Sequence, residues 1–214
     1  MALTYPYPLA FLSELLHAGD VTFDLQRNDE LSGSGDGRYW GAELARPLWT
    51  AEFPLQPVAK PEARAINARI HALDGVSRSF LLADPSYPGP AFGDNSGLEA
   101  VTVDAVRANR TQIGLAGLPN GFVATIGDYI TILGPNGQVY FGQFLETSSP
   151  VSDGTIFGRE VRPVLPLWVA PGQAVLLVEP YFRAIIPPGG FRPYRMNLGD
   201  HASGASLTIL QKLP

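Results

Sequence analysis

The chain has 214 residues, 45% of them hydrophobic and only 16% charged, with a net charge of −5 and no cysteine. A chain of this length buries roughly 70% of its unfolded surface, so a sizeable core is available, and a charged share below the ~25% of an average soluble domain leaves neutral faces for partners. The acidic balance argues against tight nucleic-acid binding by phosphate neutralisation, and the lack of cysteine excludes disulfides, thiolate nucleophiles and cysteine-type zinc sites.

With 23 Gly and 20 Pro, the composition points to short strands joined by many tight turns. The apolar run over 8–16 is far shorter than the ~18 residues of a membrane span, has no preceding basic region, and is broken by Ser13 and Glu14. Neither a signal peptide nor a membrane span is expected. From Val21, the residues Val21, Phe23 and Leu25 alternate with Thr22, Asp24 and Gln26, the period of a half-buried strand. The Gly-rich stretch over 31–37 then reads as a loop or hairpin tip. An extended segment resumes at Arg38 and ends in a second alternation, Trp49, Ala51, Phe53 and Leu55.

One helix is predicted over 60–75. Pro61 suits its first turn, Glu62 its positive end, and Ala63, Ile66, Ile70 and Leu73 recur on one face. Strand character returns over 78–85, and the turn-rich stretch over 85–97 is the candidate boundary between two structural units. The second unit reads as purely β. Strands are expected over 99–106 and 111–118, then on either side of Asn136-Gly137, a pair that favours the positive φ of a tight hairpin turn. Further strands over 154–165 and 173–180 keep the spacing of a small barrel or sandwich. The closing alternation over 206–213 is expected to rejoin the first unit, which makes the middle an insertion.

Little in the sequence points to catalysis. His17, His71 and His201 have no metal-ligand spacing, and His71, beside Ile70 on the helix, reads as a partly buried helix residue. Ser34 is flanked by glycines but lacks the strand-turn-helix setting of a nucleophile elbow. The glycine clusters at 33–37 and 189–190 are not followed by Lys-Ser or Lys-Thr or by a helix, which argues against a phosphate loop. Asp84, Asp94, Asp128, Asp153 and Glu160 could in principle pair across a groove, but nothing selects a pair, and Asp84 and Asp128 read as turn residues. No cofactor and no metal are expected, and the chain is not expected to be an enzyme.

Aromatic residues are more informative. Tyr39, Trp40, Trp49, Trp168, Tyr181, Phe182 and Tyr194 lie in or beside Pro-rich segments, with Arg38, Arg46, Arg192 and Arg195 close to them in sequence. Arg beside Tyr or Trp is the usual make-up of contact hot spots and also of ordinary packing. The candidate interface set is Arg38, Tyr39, Trp40, Arg46, Tyr181, Arg192 and Tyr194.

The order of segments carries a resemblance. The segment WTAEFPL, the helix PEARAINARIHALDG, RSFLLADPSYPGP, and later GLPNGFVATIGDYITI followed by a hairpin together resemble the distal tail proteins of long-tailed bacteriophages and related phage-like particles. The likeness covers 49–90 and 117–180, about half the chain, and departs from the family at the Tyr-Pro-Tyr-Pro opening and at IIPPGGFRPY. It implies a mainly β fold: a β-sandwich ring domain with one helix, residues 1–97 with 181–214, and an inserted small β-barrel of oligonucleotide-fold type, residues 98–180, that projects outward. It also implies a homo-hexameric ring at the virion tail tip, made in the host cytoplasm. The implied partners are further copies of the chain, the tail tube protein and hub, baseplate or fibre proteins, with DNA only as cargo through the channel and no membrane.

Two other readings stand beside it. In a carbohydrate-binding module, Trp168, Tyr140 or Tyr181 would stack on a sugar of the host surface. A glycosidase would need two acids facing each other across a groove.

Overall fold

A computed structural model describes residues 4–13, 20–92, 94–149, 151–196 and 198–213. The chain is mainly β, arranged in antiparallel sheets with one helix longer than a single turn among the described residues. It divides into two compact units, one built from Met1–Phe80 with Ala184–Lys212 and the other from Leu81–Arg183.

After the single helical turn α1 (Ala10–Ser13), the first unit runs through β1 (Thr22–Gly33), β2 (Tyr39–Pro54), β3 (Val58–Ala59) and α2 (Lys60–His71), and β4 (Phe80–Ala83) starts at the last residue of this segment. In β2 the predicted alternation is seen directly: Trp49, Ala51 and Phe53 are buried, and Leu55 follows them inward. Helix α2 starts with Pro in its first turn and Glu62 at its positive end, and closes with Arg69 and His71 at its negative end. Ala63, Ile66, Ile70 and the following Leu73 are buried, about 1.5–3 kcal/mol for each of the larger three. Asp74 and Gly75, both with positive φ, turn the chain away.

The second unit contains β5 (Thr102–Val106), β6 (Gln112–Ala116), β7 (Tyr129–Leu133), β8 (Val139–Phe144), β9 (Thr155–Arg162) and β10 (Val175–Leu176), in the order β10-β7-β8-β9-β6-β5. Its two ends are joined. Val103 N–H reaches the Gln173 carbonyl at 2.9 Å and Gly172 N–H the Val103 carbonyl at 2.8 Å, so the sheet closes on itself without a free edge there. Ile113, Leu115, Ile130, Ile132 and Val161 fill the interior. The β7–β8 hairpin turns at Asn136 (φ 59°) and Gly137 (φ 73°), as the Asn-Gly pair predicts. Six strands take part, where an oligonucleotide-fold barrel has five.

The chain then follows β11 (Tyr181–Ile185), β12 (Phe191–Arg192), β13 (Arg195–Met196), β14 (His201–Ser203) and β15 (Ser206–Gln211). One sheet has the order β1-β2-β15-β11-β4, with β12 also on β15, and a three-stranded sheet runs β13-β14-β3. The closing alternation is therefore an interior strand: Leu207 and Ile209 are buried, and β15 lies between β2 and β11.

The joints between units fall at 80/81 and 183/184, where the sequence reading places them at 97/98 and 180/181. The reason is local. Within the stretch over 85–97, Ala91 N–H is held by Asp128 at 2.9 Å and Phe92 meets Phe122 edge-on, which ties the segment to the second unit.

Candidate assembly interface

β1 and β2 pair along their whole lengths, from Thr22↔Glu52 to Gly33↔Tyr39, but β15 covers β2 only from Thr50 to Pro54. Gln211, at the end of β15, takes the Trp49 N–H on its side-chain oxygen at 3.2 Å. Beyond that point, among the described residues, β1 and β2 pair only with each other. Where the support ends, the register shifts on both sides of Asn28, opposite the segment of β2 that holds Pro47, which has no N–H to give to a ladder. The remaining length, residues 27–46, is a two-stranded arm, and every residue from 26 to 46 is exposed.

The arm carries its own tip chemistry. Ser34 N–H donates to the Arg38 carbonyl at 3.1 Å, and Asp36 accepts from the Ser34 hydroxyl and from Arg38 N–H at 3.1 Å. Those donors, the Ser34 hydroxyl first, hold the Asp36 carboxyl below its usual range. Arg27 and Asp29 form an ion pair at 2.6 Å. Such exposed pairs add little to stability, because solvent screens them and holding two long side chains in one geometry costs entropy.

Side chains alternate across a ribbon, so neighbours in sequence lie on opposite faces. Trp40, opposite Ser32, shares a face with Ala42; Tyr39, opposite Gly33, shares the other with Leu31. Leu44 falls at the register shift. Trp40 and Tyr39 are each 71% exposed, with Leu31 and Leu44 bare as well. Both faces are thus partly apolar and both meet solvent.

Of the seven candidate interface residues, the arm brings together Arg38, Tyr39, Trp40 and Arg46, all exposed. Arg192 is exposed on β12. Tyr181 is half-buried, and its backbone exchanges two 2.8 Å hydrogen bonds with the buried Thr131 hydroxyl. Tyr194 is buried, its hydroxyl donating to the Gln56 carbonyl at 3.0 Å, so its ring is part of the interior and offers no surface. Trp49 and Phe182 are core residues too.

The sugar-stacking set fares differently from expectation. Tyr140 is buried and donates to the Pro163 carbonyl at 2.6 Å, and burial drives its pKa far upward. Trp168 packs against the core of the closed sheet. Neither presents an open ring face of the kind Trp40 does.

Four of the five acids lie in turns or loops, and Glu160 is on β9. Asp84 accepts from Ser86 N–H and hydroxyl, Asp94 from Ser96 N–H, and Asp153 from Thr155 N–H and hydroxyl. Asp128 is buried and accepts from Ala91 and Thr125 N–H, while Glu160 lies 3.5 Å from Arg162. Among the described residues, no three His, Asp or Glu are gathered in a way that could hold a metal ion. His71 is exposed where a partly buried position is expected, because it lies on the far side of the helix from Ile66; its ring meets Phe191 edge-on at 6.5 Å. His201 is exposed on β14, and His17 lies outside the described residues.

No protein-family model matches the chain, and no curated protein matches it.

The arm is the feature the sequence reading did not isolate. Its signal is present nonetheless: over 27–46 charges and apolar residues fall on both parities, so no period of two marks an inner face.

Proposed function

We propose that this chain is a structural virion component, a homo-hexameric distal tail ring that joins the tail tube to the baseplate hub or fibres and surrounds the DNA channel. The observation that carries the reading is the arm. A two-stranded ribbon wet on both faces is marginally stable by itself, and bare Leu31, Tyr39, Trp40 and Leu44 gain most when another chain covers them. A cyclic arrangement meets that need without runaway growth, and it hides the free edge of β1.

Three further features support it. The order of segments resembles distal tail proteins; the second unit, a six-stranded antiparallel sheet, lies in the chain between the two segments of the first; and a net charge of −5 suits a channel wall along which DNA slides as cargo. In this reading the chain acts by assembly, not catalysis, needs no cofactor, and is made in the host cytoplasm before joining the tail tip. Its partners are its own copies, the tube protein, and a hub, baseplate or fibre protein.

Negative-stain electron microscopy of the purified chain tests the proposal. Six-fold rings with an open centre are expected; single small particles at every concentration would overturn it.

A further inference from the structure

The first unit has an open groove of about 600 Å³ at the C-terminal end of α2. Its apolar lining includes Ile70, Val76, Pro187, Pro188 and Phe191, with His71 edge-on to the Phe191 ring. Two charges mark it: exposed Asp74 lies in the lining, and the Lys212 ammonium donates to the Val76 carbonyl at 3.5 Å. Asp74 sits just past the end of α2, where the helix dipole adds to its negative potential.

The same unit carries the arm, whose Trp40 remains 71% exposed and therefore does not fill its own chain's groove. The two surfaces match in chemistry. A groove walled by prolines and a phenyl ring suits a flat aromatic anchor. Arg38 lies two residues before Trp40, a spacing that places them on one side of the extended chain, and its guanidinium answers Asp74. In the free arm Arg38 faces Asp36 at 3.7 Å, an exposed pair that the contact would exchange for Asp74 and Lys212. Tyr39 is a poorer anchor because it points to the opposite face, where its ring covers Gly33.

Reach and area agree with this. Residues 27–33 of β1 lie in the arm opposite 39–46 of β2, a reach of roughly 23 Å for about seven residues at ~3.3 Å each. A single aromatic buries about 150–250 Å², whereas a stable interface needs about 800 Å² per partner. Trp40 is then the anchor and the length of the arm supplies the remaining area.

Resting on the ring reading, we propose that the arm of each copy seats Trp40 in the α2 groove of the next copy, with Arg38 against Asp74. Arm and groove are different patches, so the contact is head-to-tail. Each copy has one of each, so the contact can pass from copy to copy and close a ring; reciprocal exchange between two copies would use the same contact, and the length of the cross-linked ladder tells the two apart.

The chain has no native cysteine, so introduced ones report without background. Ala42→Cys lies on the Trp40 face of the arm, and Val76→Cys lies in the groove. The full-length double variant, treated with a short bis-maleimide and run under denaturing conditions, should give a ladder up to six copies, whereas each single variant stays at one copy. Adding Trp40→Ala should reduce the ladder at least tenfold. Sedimentation of the untreated double variant separates the two readings. A hexamer without a ladder, a ladder that stops at two copies, or a ladder indifferent to Trp40→Ala overturns the arm-in-groove contact and leaves the ring reading standing. A monomer overturns the ring reading and this contact with it.

Discussion

The Tyr39 ring lies against Gly33, its cross-strand partner at the end of the arm: a methyl group placed on Gly33 would stand 3.3 Å from Tyr39 Cε1. An aromatic covering a strand glycine compensates for the side chain that glycine lacks. In a ribbon with no third strand this contact is one of few that hold the tip in register. Tyr39→Ala should therefore accelerate amide hydrogen exchange over 27–46, while global stability moves by no more than ~0.5 kcal/mol, as for other exposed substitutions. Unchanged exchange in the arm would contradict the role given to the ring.

Ile66 is fully buried on the inner face of α2. Ile66→Asp removes that apolar burial and places a carboxylate where no partner waits, a loss on the order of several kcal/mol. Urea denaturation or a thermal melt of the full chain should show a large drop, and an unchanged midpoint would mean that the face is wrongly assigned.

In the second unit, Gly134 has φ −95° and ψ 175°, extended backbone that alanine accepts readily. Space is the obstacle, since a methyl there would stand 2.5 Å from Trp168 Cε3 and Cζ3. Gly134→Ala should cost about 1–3 kcal/mol by overpacking. If the clash is with Trp168, then Gly134→Ala combined with Trp168→Leu costs less than the sum of the two single changes by more than ~0.5 kcal/mol. Additive losses would place the strain elsewhere.

Asp128 is buried, and its two carboxylate oxygens accept Ala91 N–H at 2.9 Å and Thr125 N–H at 2.8 Å. Burial outweighs these bonds and raises its pKa above the ordinary 3.8. The folded chain then holds this proton more tightly than the unfolded chain does. The group's contribution is most favourable below 3.8 and is lost as pH rises through the raised folded value. Asp128→Asn sets an NH2 against one of the two backbone donors, costs about 1–3 kcal/mol, and removes this titration. Across that window, the margin by which the wild type exceeds the variant in unfolding free energy should shrink as pH rises; a growing margin would reverse the sign of the shift.

Local patterns were readable where one face of an element meets a core. Ala63, Ile66, Ile70 and Leu73 marked α2, Trp49 to Leu55 marked the inner half of β2, and Asn136-Gly137 marked the β7–β8 turn. What escaped reading depends on distant chain. The arm exists because β15, near the other end of the sequence, stops opposite Thr50, and no pattern within 27–46 records where that strand ends. The turn-rich stretch over 85–97 looks like a boundary by composition, yet Asp128 draws it into the second unit. Tyr194 belonged to the candidate interface set and Tyr140 to the sugar-stacking alternative, and both are interior, with a distant carbonyl, Gln56 or Pro163, accepting the hydroxyl. Aromatic-plus-arginine composition marked Trp40 and Tyr194 alike, and only strand pairing separates them.

Sedimentation velocity of the intact chain over a wide concentration range tests the central claim most directly. Six copies of the 23.0 kDa chain in one species are predicted, shifting toward smaller species when the arm over 27–46 is replaced by a short turn. A wild-type chain that sediments as a monomer throughout, with or without its arm, would contradict the account.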